Sequence, residues 1–278
     1  MFDHLSAVPQ ADEGTLVCVT PWSATLQAQA RAEALAAWFR CPLVPRGRRS
    51  IEQVFAEEGV SGVLVAEDPP RLYHRAQPGQ PFFFHPGLAR PRLAALAHGL
   101  PDRLLRVAGI RPGDVVVDAT LGTGTDSLVL AYGVGPDGRV IAIESSWVLA
   151  RLFAWAKREN GHGYPGMREL LARIEVVYGD NEQVMAAMAS DSADVVYFDP
   201  MFRRPIAEQD ATIAPARPWT DPRPLSDAAW REAQRIARRC VVLKERPASD
   251  QFARFGLVPD KPRAKIAFGV WNKEREAR

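Results

Sequence analysis

The chain has no apolar run approaching the roughly 18 residues that a membrane-spanning helix needs. Its start, MFDHLSAVPQADEG, is acidic and lacks the apolar core of a signal peptide. Cysteine is scarce: Cys18, Cys41 and Cys240 are the three among 278 residues, and none forms a CxxC pair. An odd, scattered set argues against a disulfide framework or a zinc site. It predicts buried, reduced thiols in a cytoplasmic protein with no metal centre. No GK[ST] phosphate loop occurs, which disfavours an ATPase or a kinase. Internal repeats and long low-complexity segments are also missing.

What is present is ordinary globular composition, 47% hydrophobic and 24% charged, with material for a sizeable core. The length suits one large domain, or one large and one small. Net charge is only +2, but residues 200–278 hold 17 Lys and Arg against 10 Asp and Glu, while residues 1–85 hold seven against nine. That asymmetry points to an anionic partner near the C-terminal part, although solvated helix faces also collect arginine.

Residues 1–85 read as a small α/β unit. TLVCVT is a strand, TLQAQARAEALAAWF an alanine-rich helix, and SIEQVFAEEG a second helix with Ser50 as N-cap and Gln53 as its capping-box partner. Short strands GVLVAE and RLYHR follow, and PFFFHP closes the unit. In GLARPRLAALAHGL, Pro91 should delay the helix start to about its own position. From Asp114 the pattern becomes regular strand–helix alternation, through DVVVDAT, GRVIAIE, RIEVVYGD, ADVVYFD, CVVLKE and KIAFGVWNK. Continuous apolar strands alternating with helices mean a parallel sheet covered on both faces, a doubly wound α/β fold over residues 86–278. The irregular end allows the last strand to run antiparallel.

The turn in VVVDATLGTGTDSLVLA follows a strand and opens a helix, with Gly122, Gly124 and then Ser127 near the dinucleotide spacing. Two acids separate the candidate ligands. Asp118 ends the strand four residues before Gly122, and Asp126 lies in the first helical turn. Both would repel a pyrophosphate and attract an ammonium group. Glu144 ends the next strand, 22 residues after Gly122, where a carboxylate accepts hydrogen bonds from two ribose hydroxyls. S-adenosyl-L-methionine has the ribose and the ammonium group and no phosphate. Gly179 and Asp180 end the third strand, where Asp180 suits an adenine amine or a plain helix N-cap.

The set DATLGTGTD, AIE and YGD at successive strand ends resembles the class I S-adenosyl-L-methionine-dependent methyltransferases. The resemblance implies a seven-stranded Rossmann-like sheet of order 3-2-1-4-5-7-6 with the seventh strand antiparallel. It assigns the donor, and its product S-adenosyl-L-homocysteine, to Asp118, Thr120, Gly122, Gly124, Thr125, Asp126, Glu144, Ser145, Gly179, Asp180 and Asp199. The fourth strand ends in Asp199-Pro200-Met201-Phe202, where amine methyltransferases carry [DNS]-P-P-[YF]. There Asp199 and a backbone carbonyl at Pro200 would accept the amine's two N–H bonds, and Phe202 would stack on the base.

DPMF, together with the loop from Asp118 to Asp126, is similar to the bacterial 16S rRNA (guanine-N2) methyltransferases of the J type. Thr125 and Arg203 stand where those proteins have arginine and proline, and HPGLARPRL loosely matches their basic segment. The resemblance implies RNA, of the small ribosomal subunit, as partner, and no membrane. Arg203 and Arg204 are the first candidate contacts to it. The Pro-rich stretch after them, with Arg217, Arg223 and Trp219, reads either as an RNA clamp or as a solvated connection. Other acceptors stay open: adenine N6 of DNA or RNA, or a protein or small-molecule amine. So do a binding module without activity, and a monomer or homodimer.

Overall fold

The computed structural model describes residues 15–23, 25–87, 89–200 and 214–276. Near the start, β1 (Leu16–Val19) leads into α1 (Leu26–Phe39), capped by the Thr25 side chain. Ser50 caps α2 (Ile51–Glu58), and the reciprocal bonds between Ser50 and Gln53 form the expected capping box. β2 (Gly62–Val65) pairs parallel with β1, and β3 (Arg71–His74) and β4 (Gln77–Phe82) continue the sheet antiparallel. β4 begins earlier than PFFFHP implies and includes Pro78 and Pro81. It is the edge strand, where a missing N–H costs no ladder bond.

α3 (Ala89–Ala97) starts two residues before the position expected from Pro91, which sits in its first turn. A helix has no partner for that N–H anyway. Asp102 caps α4 (Arg103–Val107). Then come β5 (Val115–Asp118), α5 (Thr125–Gly133), β6 (Arg139–Glu144), α6 (Trp147–Arg158), α7 (Met167–Ala172), β7 (Ile174–Tyr178), α8 (Asn181–Ala186) and β8 (Ala193–Phe198). After a 3₁₀ turn at Ala214–Trp219 follow α9 (Asp227–Ile236), β9 (Ala237–Glu245) and β10 (Ala267–Asn272).

The strand order is β10-β9-β8-β5-β6-β7, with β10 antiparallel to β9. This is the expected doubly wound order up to its edge. Among the described residues it has six strands, not seven. Between β9 and β10 the chain makes a short helix, Asp250–Arg254, and the polar, proline-bearing stretch 258–265, which has no apolar run to build the extra strand.

α6 explains how the two sheets stay together. Nine of its residues are buried, because it is sandwiched. Ala150, Phe153 and Ala156 pack toward the larger sheet, while Val148, Leu149, Leu152 and Trp155 join β1, α1 and β2 in another apolar cluster. Trp38 Nε1 donates to the Arg151 carbonyl at 3.1 Å, and the Arg151 guanidinium donates back to the Trp38 carbonyl.

Because Leu152 belongs to the cluster between the sheets, Leu152→Ala should cost about 2–5 kcal/mol. Calorimetry should show one transition with a lowered midpoint. A separate early transition of residues 15–84 would contradict a shared core.

Candidate active site

β5 lies between β6 and β8, so successive connections leave it on opposite sides. A crevice outside the carboxyl ends of the strands follows from that reversal. A cavity of about 390 Å³ opens there. Thr120 and Gly122 enter its wall after β5, Glu144 and Ser145 after β6, Gly179 and Asp180 after β7, and Asp199 and Pro200 after β8.

The glycine turn is held from β6. The Gly122 N–H donates to Glu144 Oε2 at 2.8 Å, and the Ser146 N–H donates to Oε1 at 2.8 Å. Each carboxylate oxygen keeps a further lone pair for a ligand. Burial pushes this carboxyl above its ordinary pKa. Gly122 and Gly124 have φ of 53° and 76°, the left-handed region. At Gly124 a Cβ would also lie 2.0 Å from the Phe153 ring, so the helix start and α6 approach as only glycine allows.

Four of the residues expected at the donor do not line the cavity. Asp118 is behind its wall, 1% exposed, accepting from Ser127 Oγ at 2.5 Å and Thr120 N at 3.1 Å. Burial pushes its pKa up to about 7. It therefore braces the turn rather than facing a ligand. Gly124 and Thr125 open α5, and Asp126 points into the interior.

Asp126 belongs to a line of alternating charges. Asp102 takes a bidentate pair from Arg92, at 2.8 and 2.9 Å. The Arg92 guanidinium also donates to Asp126 Oδ1. Lys244 Nζ donates to Asp126 Oδ2 at 2.7 Å and to Asp199 Oδ2 at 2.6 Å. Tyr197 OH donates to Asp126 at 2.8 Å. The two cations hold Asp126 below the usual carboxylate range against its burial. Asp199 at the end of the line is pushed up to about 6, burial outweighing the Lys244 charge. Its side chain is 27% exposed and reaches the cavity. Its backbone N–H donates to Thr120 Oγ1 at 2.6 Å, which ties the ends of β5 and β8.

The stretch after β8 is where expectation and structure part. Met201, Phe202, Arg203 and Arg204 lie outside the described residues. Trp219, in the stretch read as an RNA clamp or a solvated connection, is 9% exposed. It meets His74 edge-on at 4.9 Å and lies over Gly62, where a Cβ would fall 2.6 Å from its ring. Proline-rich context reads as loop, and the packing partner is more than 140 residues away in sequence. Arg223, read as a phosphate contact, pairs with Asp221 at 2.5 Å and Asp180 at 2.9 Å and lines the cavity with both. Asp180 also caps α8.

Lys244, Arg92 and Asp221 were not singled out from sequence. The lysine is next to last in CVVLKE, near the carboxyl edge of the sheet, which is the signal that marks it. The cavity wall carries Glu144, Asp180, Asp199 and Asp221, with both nearby arginines already paired to acids. Such a lining fits a ribose-bearing cation without phosphate better than a dinucleotide.

A family model described as a putative SAM-dependent methyltransferase matches residues 87–214. Over 240 residues, 86% of this chain and 92% of the other, the chain is 32% identical to the uncharacterized protein YpiP of Bacillus subtilis (strain 168). Over 150 residues it is 33% identical to ribosomal RNA small subunit methyltransferase J of Halorhodospira halophila (strain DSM 244 / SL1). That match covers 52% of this chain and spans about half, 55%, of the relative's length. The crystal structure of the SAM-dependent methyltransferase NGO1261 from Neisseria gonorrhoeae shares the fold, with a TM-score of 0.56 and 22% identity over 93% of this chain and 96% of that one.

Breaking the charge line should be costly and non-additive. Lys244→Met should destabilise by about 3–5 kcal/mol in urea unfolding, because it strands the Asp199 charge. Adding Asp199→Asn should recover part of that loss. Additive costs would mean that Lys244 does not compensate Asp199.

Proposed function

The chain belongs to the class I S-adenosyl-L-methionine-dependent methyltransferases, and from that premise we propose that its acceptor is an exocyclic base amine of RNA, guanine N2 of the small ribosomal subunit. The observation that carries this reading is the Asp199-Pro200 pair on the cavity wall shared with Glu144. The relatives named as ribosomal RNA small subunit methyltransferases support the substrate class, as does the basic balance of residues 200–278.

Glu144 takes the donor's ribose hydroxyls, and the acids around it complement its positive charge. When bound, the donor supplies a methyl group already activated on a sulfonium. An aromatic amine is a poor nucleophile because its lone pair is delocalised into the ring. Lys244 occupies Asp199 Oδ2, so Oδ1 and the Pro200 carbonyl accept the amine's two N–H bonds. That grip turns the lone pair out of the ring plane. The proton shed by the methylated nitrogen passes to Asp199 Oδ1 and then to water. Phe202 stacks on the base, and Arg203 and Arg204 contact phosphate. The place of action on this reading is the cytoplasm.

Transfer requires ionised Asp199, whose pKa is raised to about 6, so the single-turnover rate should fall as pH drops through that value. In Lys244→Met the counter-charge is gone and the acid limb should move upward. An unshifted limb would remove Lys244 from the account. Asp199→Asn should slow transfer roughly 10²–10⁴-fold. Donor binding, followed by calorimetry, should be weakened yet measurable.

Small subunits, naked RNA and DNA offered with labelled donor test the acceptor. Label recovered as N2-methylguanosine is expected, and label recovered solely as N6-methyladenine overturns it.

A further inference from the structure

Five side chains that take no part in the cavity form a continuous line of cations and rings. The Arg71 guanidinium lies 5.5 Å from the Phe83 ring centroid. Phe83 meets His85 edge-on, with centroids 5.8 Å apart and planes at 83°. His85 meets Tyr164 edge-on at 5.6 Å and 85°. The Arg90 guanidinium lies 5.9 Å from the Tyr164 centroid. Arg71, His85 and Arg90 are exposed, and Phe83 and Tyr164 are half-buried. The line crosses from β3, over the segment joining the two sheets, to the loop after α6 and to α3.

The line is held in place. The Gly87 N–H donates to His85 Nδ1 at 2.9 Å, and a Cβ at Gly87 would lie 2.3 Å from that nitrogen. The neutral ring therefore carries its proton on Nε2. The Tyr164 loop is pinned through His162, whose Nδ1 lies 2.7 Å from Asp68 Oδ1 of the smaller sheet's side. The acids beside the line are already engaged, Glu67 with Arg71 at 2.6 Å and Asp68 with Arg31 at 3.1 Å.

Rings between guanidiniums suit single-stranded nucleic acid: rings take base faces and arginines take phosphates. Successive rings are nearly perpendicular, so they cannot face a continuous base stack and instead suit splayed, unpaired nucleotides. One end of the line lies on the helix that also carries Arg92. Arg90 is two residues from Arg92 on α3, and Arg92 contacts Asp126, which Lys244 joins to Asp199.

We propose that the line Arg71–Phe83–His85–Tyr164–Arg90 is the docking track for the unpaired RNA strand that flanks the target base. It rests on the RNA reading above, and it gives the smaller sheet a part in substrate binding.

The test uses the full chain, a fluorescently labelled single-stranded RNA and the methyl-transfer assay. His85→Ala with Tyr164→Ala should weaken RNA binding and raise KM for RNA about tenfold or more. Affinity for the donor should be unchanged. Arg90→Glu changes an exposed side chain and keeps the core intact, so it should weaken RNA binding without lowering Tm. It should also reduce the slope of log affinity against log salt by about 1. Duplex RNA should compete poorly. Variants that bind and methylate RNA within twofold of wild type overturn the track and leave the acceptor reading standing. A wild-type protein that neither binds nor methylates RNA removes both.

Discussion

Asp102, Arg92, Asp126, Lys244 and Asp199 alternate in sign through the interior, and the placement of the acid that we assign to the acceptor amine depends on that line. Its members come from the cap of α4, from α3, from the first turn of α5, from β9 and from the end of β8. Removing one partner from a buried pair costs about 3–5 kcal/mol, a large part of the roughly 5–15 kcal/mol that stabilises a domain. The elements that carry these five residues are therefore bound to one relative position. The line ends at the cavity in the most accessible of its three carboxyl groups. Burial raises the pKa of that group, and Lys244 opposes the rise. Structure and reactivity meet in that opposition: the same lysine that fixes Asp199 also favours its ionised form.

The smaller sheet is joined to this centre in two ways. Its core continues into α6, whose opposite side packs under the glycine turn through Phe153. Its strands β2 and β3 also receive Trp219, just before the stretch 220–226 that lines the cavity through Thr220, Asp221 and Arg223. A change at Gly62 would displace Trp219 and, with it, that stretch.

Much of this was legible in local sequence. The doubly wound alternation, the glycine turn, Glu144 beside it, Asp199 at the fourth strand end and the Ser50–Gln53 capping box depend on strand periodicity and fixed short spacings, while the strand order came from the family resemblance. What was hidden depends on distant pairing. Lys244 and Asp126 are 118 residues apart and Arg92 and Asp126 are 34, so no local pattern joins them. Asp118 and Asp126 were read as ligand-facing because their spacing suits a binding loop, and only tertiary packing turns them inward. Trp219 failed for the same reason, and the proline-bearing β4 formed because it has an unpaired edge to spare.

The central claim is that Asp199 grips a guanine amine of small-subunit RNA for methylation. The most direct measurement is the modified-nucleoside content of that RNA from cells lacking this protein. The account predicts the loss of one N2-methylguanosine, restored by the wild-type chain and not by Asp199→Asn. An intact N2-methylguanosine content alongside the loss of a methyl group from another base would contradict it.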